Sequence, residues 1–235
     1  MNSTPAARGS QQAWPTAVQW FRAGVTIDIL SWLLFVGMQA AKGDWLPPQI
    51  SVSQYGVGSY GWIFSLFCLA LGATTLCMDR ALPTGRLVRW LLVLGALGCL
   101  VMAFVHTDAG GLQQSPRAKI HMIASIVALT AMPIGMCLGV LRGRRLNRLI
   151  PWSLTVFSAV CLVLLVMSAF GIDTLGVGSN KSWAIWQTGA ALAEMVLSVV
   201  QIAASRPRRG ESAHTGSVAQ QQAAVPGVTA PRSGS

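Results

Sequence analysis

The sequence predicts an all-α fold, a polytopic transmembrane six-helix bundle, and three observations carry that expectation. Six apolar runs cover most of the chain, basic residues gather at alternate ends of those runs, and aromatic residues mark their borders. The runs are 21–41, 61–78, 88–107, 120–141, 150–171 and 183–204. Each holds about 17–22 residues, enough to cross a hydrocarbon core of about 30 Å at a rise of 1.5 Å per residue. A soluble core helix of that length would carry a polar face, and these mostly do not.

Orientation follows from the connections. Arg8, Arg22, Arg80, Arg86, Arg89, Arg142, Arg144, Arg145, Arg148, Arg206, Arg208, Arg209 and Arg232 fall on one side, and only Lys42, Arg117, Lys119 and Lys181 on the other. That bias places both termini in the cytoplasm and the chain in the inner (plasma) membrane as a multi-pass protein. Topology and contact with anionic lipid then account for the net charge of +10, and nucleic acid is not an expected partner.

The 235 residues, 53% hydrophobic and 10% charged, leave room for one membrane domain. The expected organisation is a cytoplasmic segment over 1–20, a six-span domain over 21–204 and a disordered cytoplasmic tail over 205–235. The first span starts too far in, and runs too long, for a cleaved signal peptide. The inner connections are short and carry Pro83 and Pro151, where a helix does not simply continue. The outer connections are longer, the first running from Lys42 to Tyr60. Trp45, Tyr55, Tyr60, Trp62, Trp183 and Trp186 are expected in an outer aromatic belt, and Trp20, Trp90 and Trp152 in an inner one.

Within the fourth span, Gly135, Gly139 and Gly143 share a helix face and predict close helix packing. Pro133 is expected to bend that helix and free the carbonyl of Leu129. Cys68, Cys77, Cys99, Cys137 and Cys161 all lie in spans at spacings that fit no zinc or redox motif, and read as packing residues. A weak internal repeat sets Asp44, Asp108 and Asp173 just past successive spans, and Gly56-Val-Gly-Ser59 recurs as Gly176-Val-Gly-Ser179. Either three like-oriented hairpins or ordinary turn chemistry explains it.

Asp28 and Glu194 are the intramembrane carboxylates. A charge there costs at least about 2.5–3.5 kcal/mol, so both are expected to face the bundle interior. Glu194 reads as protonated or hydrogen-bonded, and Gln187, two turns earlier, extends its polar stripe. His106, Asp108 and His121 flank the second outer connection and are the candidate metal ligands, but no spacing sets two of them on one helix. No metal and no cofactor is therefore assigned, and a hydrogen-bonded cluster under the outer cap is the favoured reading. Ser51, Ser53, Gln54 and Tyr55 offer hydroxyls and an amide in the first outer connection. No nucleophile elbow or phosphate loop accompanies them.

The stretch Gln49-Ile-Ser-Val-Ser-Gln-Tyr-Gly-Val-Gly-Ser-Tyr-Gly-Trp-Ile-Phe64 resembles the first-loop signature of the domain-of-unknown-function family 998. Phe104-Val-His-Thr-Asp108, followed by His121 at the next span, is similar to that family's second loop. The chain departs from the pattern where the family often has proline, at Val105 or His106. It departs again at Met122, where glycine is usual, and at Thr188, where arginine is common. The resemblance covers about residues 20–205. It implies a six-span bacterial or archaeal membrane protein, with a fold of the Frag/DRAM-like kind and no assigned reaction. Ser53, Gly61, Trp62, Asp108 and His121 are the matching positions.

Three functions fit these readings. The leading one is binding of a lipid or small hydrophobic ligand at an outer polar cap built from Ser53, Tyr55, Asp108, His121 and Gln187. The others are a lipid-modifying membrane enzyme using Asp108 and His121, and a proton-coupled transporter using Glu194 and Asp28. Membrane lipids are the expected partners, with room for a homo-oligomer, and no residue is assigned as catalytic.

Overall fold

The computed structural model of the chain describes residues 16–82, 84–111, 115–142 and 147–205. They form six α-helices: α1 (Ala17–Lys42), α2 (Gly61–Ala81), α3 (Arg86–Phe104), α4 (Pro116–Arg142), α5 (Leu149–Ala169) and α6 (Ser179–Ala204). Two short 3₁₀ turns, Val52–Gly56 and Ala109–Gly111, lie in the first two of the longer connections, and no strand occurs among the described residues. All six helices are long and apolar enough to cross a membrane, which makes the chain a multi-pass integral membrane protein. Most of the amino-terminal segment, the tail beyond Ser205, Pro83, and Gly143 with its neighbouring arginines lie outside the described residues.

Most of the helices outrun their apolar runs because polar residues at the ends still complete helical hydrogen bonds. At the start of α1, Thr16 and Gln19 form a reciprocal capping box, which satisfies two otherwise orphaned amides. Gly43 ends the helix at φ 63°, a left-handed conformation that glycine adopts without steric penalty.

Consecutive helices pair as hairpins, α1 with α2, α3 with α4 and α5 with α6. Each hairpin contributes one inner and one peripheral helix. The apolar windows of α2, α4 and α6 are 61%, 67% and 56% buried, against 28%, 39% and 28% for α1, α3 and α5. Phe35, Phe64, Phe67, Leu71, Leu92, Met132, Met136 and Met195 fill the central core.

The three repeated aspartates do the same job in each hairpin. Asp44 accepts from the amides of Gln49 (2.7 Å) and Ile50 (3.1 Å). Asp108 accepts from the amide and hydroxyl of Ser115 at 2.9 and 2.6 Å. Asp173 accepts from the amides of Leu175, Val177 and Gly178 and from Ser182 Oγ. Gly58 and Gly178, the second glycines of the repeated motif, also share a conformation, at φ 90° and 95°. Ordinary turn chemistry therefore recurs three times on a repeated hairpin plan.

Two expectations are revised. Tyr55 does not join the aromatic belt: it is 1% exposed, because its hydroxyl turns inward to donate to Asp44 Oδ2 at 3.0 Å. Trp45, Tyr60 and Trp62 are exposed at that end, and Trp90 and Trp152 at the other. The closest backbone approach between two helices is also not on the α4 glycine face. A Cβ at Gly135 would meet the Leu92 side chain, whereas one at Gly98 on α3 would lie 2.7 Å from the Ala124 carbonyl oxygen. Meanwhile α4 runs through Pro133 as one helix.

The arginine-rich end holds an unforeseen ion pair. Buried Asp79 closes α2 and accepts from Arg89 Nε on α3 at 3.1 Å and from the Thr84 hydroxyl. It ties the short α2–α3 connection, a charge-assisted bond at the membrane border.

Candidate functional site

At the arginine-poor end, the Val52–Gly56 turn folds inward over the helix ends. Gly61 permits this, since a Cβ there would lie 2.4 Å from the carbonyl oxygen of Gly56. Ser53 is then anchored to α6: its amide and hydroxyl both donate to Gln187 Oε1, at 3.2 and 3.3 Å. Gln54 fastens the turn to the second connection. Its Nε2 donates to the Asp108 carbonyl and its Oε1 accepts from the Gly110 amide, each at 2.9 Å.

Beneath this cap lies a cavity of about 260 Å³ between α4, α5 and α6. One wall is Leu165, Val166 and Ala169 of α5 with Phe170 just past its end, and the other includes Trp183. Ser53, His121, Ser125 and Gln187 supply the polar lining. Phe170 and Ile126, both exposed, stand at its margin on the peripheral flank of the bundle. A larger recess between α3 and α4, of about 370 Å³, is lined by apolar residues and Gly98 alone. Nothing in it would orient a polar head group.

His121 is set by its second nitrogen. Nδ1 donates to the Val105 carbonyl at 2.5 Å, so in the neutral ring Nε2 carries the lone pair and accepts. His121 is 3% exposed, and its Nε2 has no hydrogen-bond partner among the described residues. Buried polar atoms are nearly always paired in folded proteins, so an orphaned acceptor on a residue lining a cavity marks a place for a donor.

The candidate residues divide into those the fold gathers and those it turns elsewhere. Ser53, His121 and Gln187 share the cavity. Tyr55 and Asp108 do not line it. Burial, and then Asp44, raise the Tyr55 phenol above its ordinary range, and Tyr55 serves the first connection as a donor. Asp108 orders the second through Ser115. His106 is occupied as well: Ser65 Oγ donates to the Ala103 carbonyl at 2.7 Å and accepts from His106 Nε2 at 2.8 Å. The Phe64 ring packs against both imidazoles, with centroids 6.3 Å from His106 and 5.9 Å from His121. Among the described residues no three His, Cys, Asp or Glu side chains are placed to hold a metal ion. Ser125 and Trp183 were not selected from sequence as ligand contacts, because a serine and a tryptophan in an apolar helix give no signal of which way they face.

A smaller cavity of about 40 Å³ lies deeper and shares Ser125 and Gln187 with the first. Glu194 lines it together with Cys68, Cys99, Phe64 and Leu129. Asp28 lines neither cavity. Its Oδ1 accepts from Ser198 Oγ at 2.5 Å, joining α1 to α6 one turn beyond Glu194.

In the third connection, amide and hydroxyl donors hold Asp173 down to about 2, with Gly178 and Ser182 the largest contributors. The ordinary aspartate value is about 3.9. A carboxylate depressed in the fold contributes order above its unfolded value, and that order is lost as pH falls through the folded one. Cleavage of the 170–178 connection by pepsin is therefore expected to accelerate as pH falls from about 4 towards 2. Asp173→Ala is expected to be cut readily across that window, and a flat, slow profile for both chains would contradict this.

No curated protein and no solved structure matches this chain. One family model does, over residues 27–204, and its description is "protein of unknown function (DUF998)". That match takes in α2 to α6, α1 from residue 27 onward and both cavities, and by it the chain belongs to the DUF998 family of proteins.

Proposed function

We propose that the protein binds an amphiphile from the outer leaflet in the cavity beneath the cap. The apolar body lies against Leu165, Val166 and Ala169, and the polar head reaches His121 and Gln187. The orphaned acceptor of His121, buried beside an otherwise apolar wall, is the observation that carries this reading. Ligand sites are typically apolar concavities with a few polar groups that fix orientation, and this cavity has that composition. Exposed Phe170 and Ile126 at its margin suit entry of a chain from the bilayer.

Equilibrium binding of 1-decanol to the full chain in maltoside micelles tests it. His121→Phe removes the acceptor and fills space, and is expected to weaken binding about tenfold or more, or about 1.4 kcal/mol. Unchanged binding in a stably folded His121→Phe protein would overturn the reading.

A second reading has its own observation. Gln187, Glu194, Ser198 and Gln201 are all buried along one side of α6, with Asp28 bonded to Ser198. Such a buried polar track suits proton-coupled transport. Flux in proteoliposomes is then expected to collapse in Glu194→Gln and Asp28→Asn, and flux surviving both would argue against it.

A further inference from the structure

The deeper cavity adds a chemical preference to the outer one, and this inference rests on the amphiphile reading above. Glu194 is 2% exposed, and its Oε1 has no hydrogen-bond partner among the described residues. It lines the smaller cavity, whose walls Ser125 and Gln187 are also walls of the outer cavity. Among the residues lining the two cavities, the orphaned atoms are His121 Nε2 in the outer one and Glu194 Oε1 in the deeper one. His121 Nε2 is set to accept, and Glu194 accepts through both oxygens once it is ionised. Gln187 Oε1 is already taken by Ser53.

The charge balance points the same way. No lysine or arginine lines either cavity. A phosphate or carboxylate head group would therefore enter without a counter-charge, beside a carboxyl group, at a large desolvation cost. A neutral alcohol gives one hydrogen bond and no charge, so it leaves an ionised Glu194 without a counter-charge. A primary ammonium has three N–H donors and a positive charge, and no acceptor of its own to satisfy. It fits a site of two acceptors, one of them acidic.

Other groups around Glu194 do not compete for that role. Cys68 on α2 and Cys99 on α3 line the same cavity as thiols, and the Cys99 thiol donates to the Met132 sulfur at 3.5 Å. Asp28 on α1 is engaged by Ser198, and α4 contributes only Ser125 and Leu129 to this cavity.

We infer that Glu194 is the counter-charge of a cation subsite, and that the cavity selects amphiphiles bearing an ammonium head without a phosphate. The head lies between His121 and Glu194, beside Gln187, while the alkyl chain stays against α5.

Binding of 1-decylamine, 1-decanol and decanoate to the full chain in maltoside micelles tests this, with phosphatidylethanolamine as a fourth ligand. The amine is expected to bind at least tenfold more tightly than the alcohol, and decanoate and the phospholipid more weakly than either. Glu194→Gln, which keeps the side-chain shape, is expected to bring the amine's affinity down to that of the alcohol. The ligand series on the unaltered chain stands even if that variant fails to fold. Alcohol binding with no preference for the amine would overturn the cation subsite alone. Phosphatidylethanolamine binding as tightly as decylamine would overturn the exclusion of phosphate. If none of the four ligands binds, the amphiphile reading falls along with this one.

Discussion

Replacing Gln187 with leucine is expected to damage binding and stability together, by more than any other single change in the cavity wall. Gln187 Oε1 accepts both the amide and the hydroxyl of Ser53. Leucine leaves a buried backbone amide without an acceptor, at a cost of about 1–3 kcal/mol. It also removes the amide group that the cavity offers to a ligand. Decanol affinity is expected to fall about tenfold to a hundredfold, or about 1.4–2.7 kcal/mol. The midpoint of thermal unfolding in detergent should fall with it. Ser53→Ala removes the hydroxyl's bonds to Gln187 and Ser51 but keeps the amide bond, so a smaller loss of about 0.5–1.5 kcal/mol is expected. Equal effects of the two changes would mean that the turn is not anchored through the backbone amide.

Gly98→Leu is expected to be the most disruptive substitution in the membrane domain. A Cβ at Gly98 would lie 2.7 Å from the Ala124 carbonyl oxygen and 3.0 Å from the Ala128 amide nitrogen. Both are helix backbone, so neither gives way by rotating a side chain, and α3 and α4 must separate. Overpacking of this kind costs about 1–3 kcal/mol, more when the backbone moves. Gly37 on α1 is the control, because nothing lies within 4 Å of a Cβ built there. Gly37→Leu is expected to be neutral or stabilising, since glycine weakens a helix interior by about 1 kcal/mol. Thermal stability of the two variants in the same detergent measures the difference. Similar melting points would remove the close α3–α4 approach.

How much was legible beforehand depended on the kind of signal. Hydropathy and length located all six helices, because a membrane span must be apolar over its whole length. They missed the ends of α4 and α6: Pro116 and Ser179 begin helices whose apolar runs start four residues later. The four-residue spacing of Gly135 and Gly139 predicts a tight helix contact on α4. It lies instead on the partner helix, at Gly98, because backbone approach depends on what faces a glycine and not on its spacing.

The site shows the same limit. Ser53, His121 and Gln187 were identified as polar groups near one end, and they do converge. Asp108 and Tyr55 came from the same pattern but are committed to local structure, since a short carboxylate beside a turn meets backbone amides first. The apolar wall from α5 left no trace in the sequence. Leu165 and Val166 face the cavity and Val163 faces outward, yet their chemistry is alike. Glu194 stood out as a buried carboxylate, but its link to the cap through Ser125 and Gln187 depends on how α4 and α6 cross.

Photo-crosslinking tests the cavity most directly. A 1-decanol analogue with a diazirine midway along its chain would be bound to the full protein, irradiated and mapped by peptide mass spectrometry. Labels are expected on Met122, on 165–170 and on Trp183, with the signal removed by excess decanol. Labels spread over exposed positions such as Leu33, Leu97 and Val163, and unaffected by competitor, would mean that the amphiphile only coats the bundle and that the cavity does not hold it.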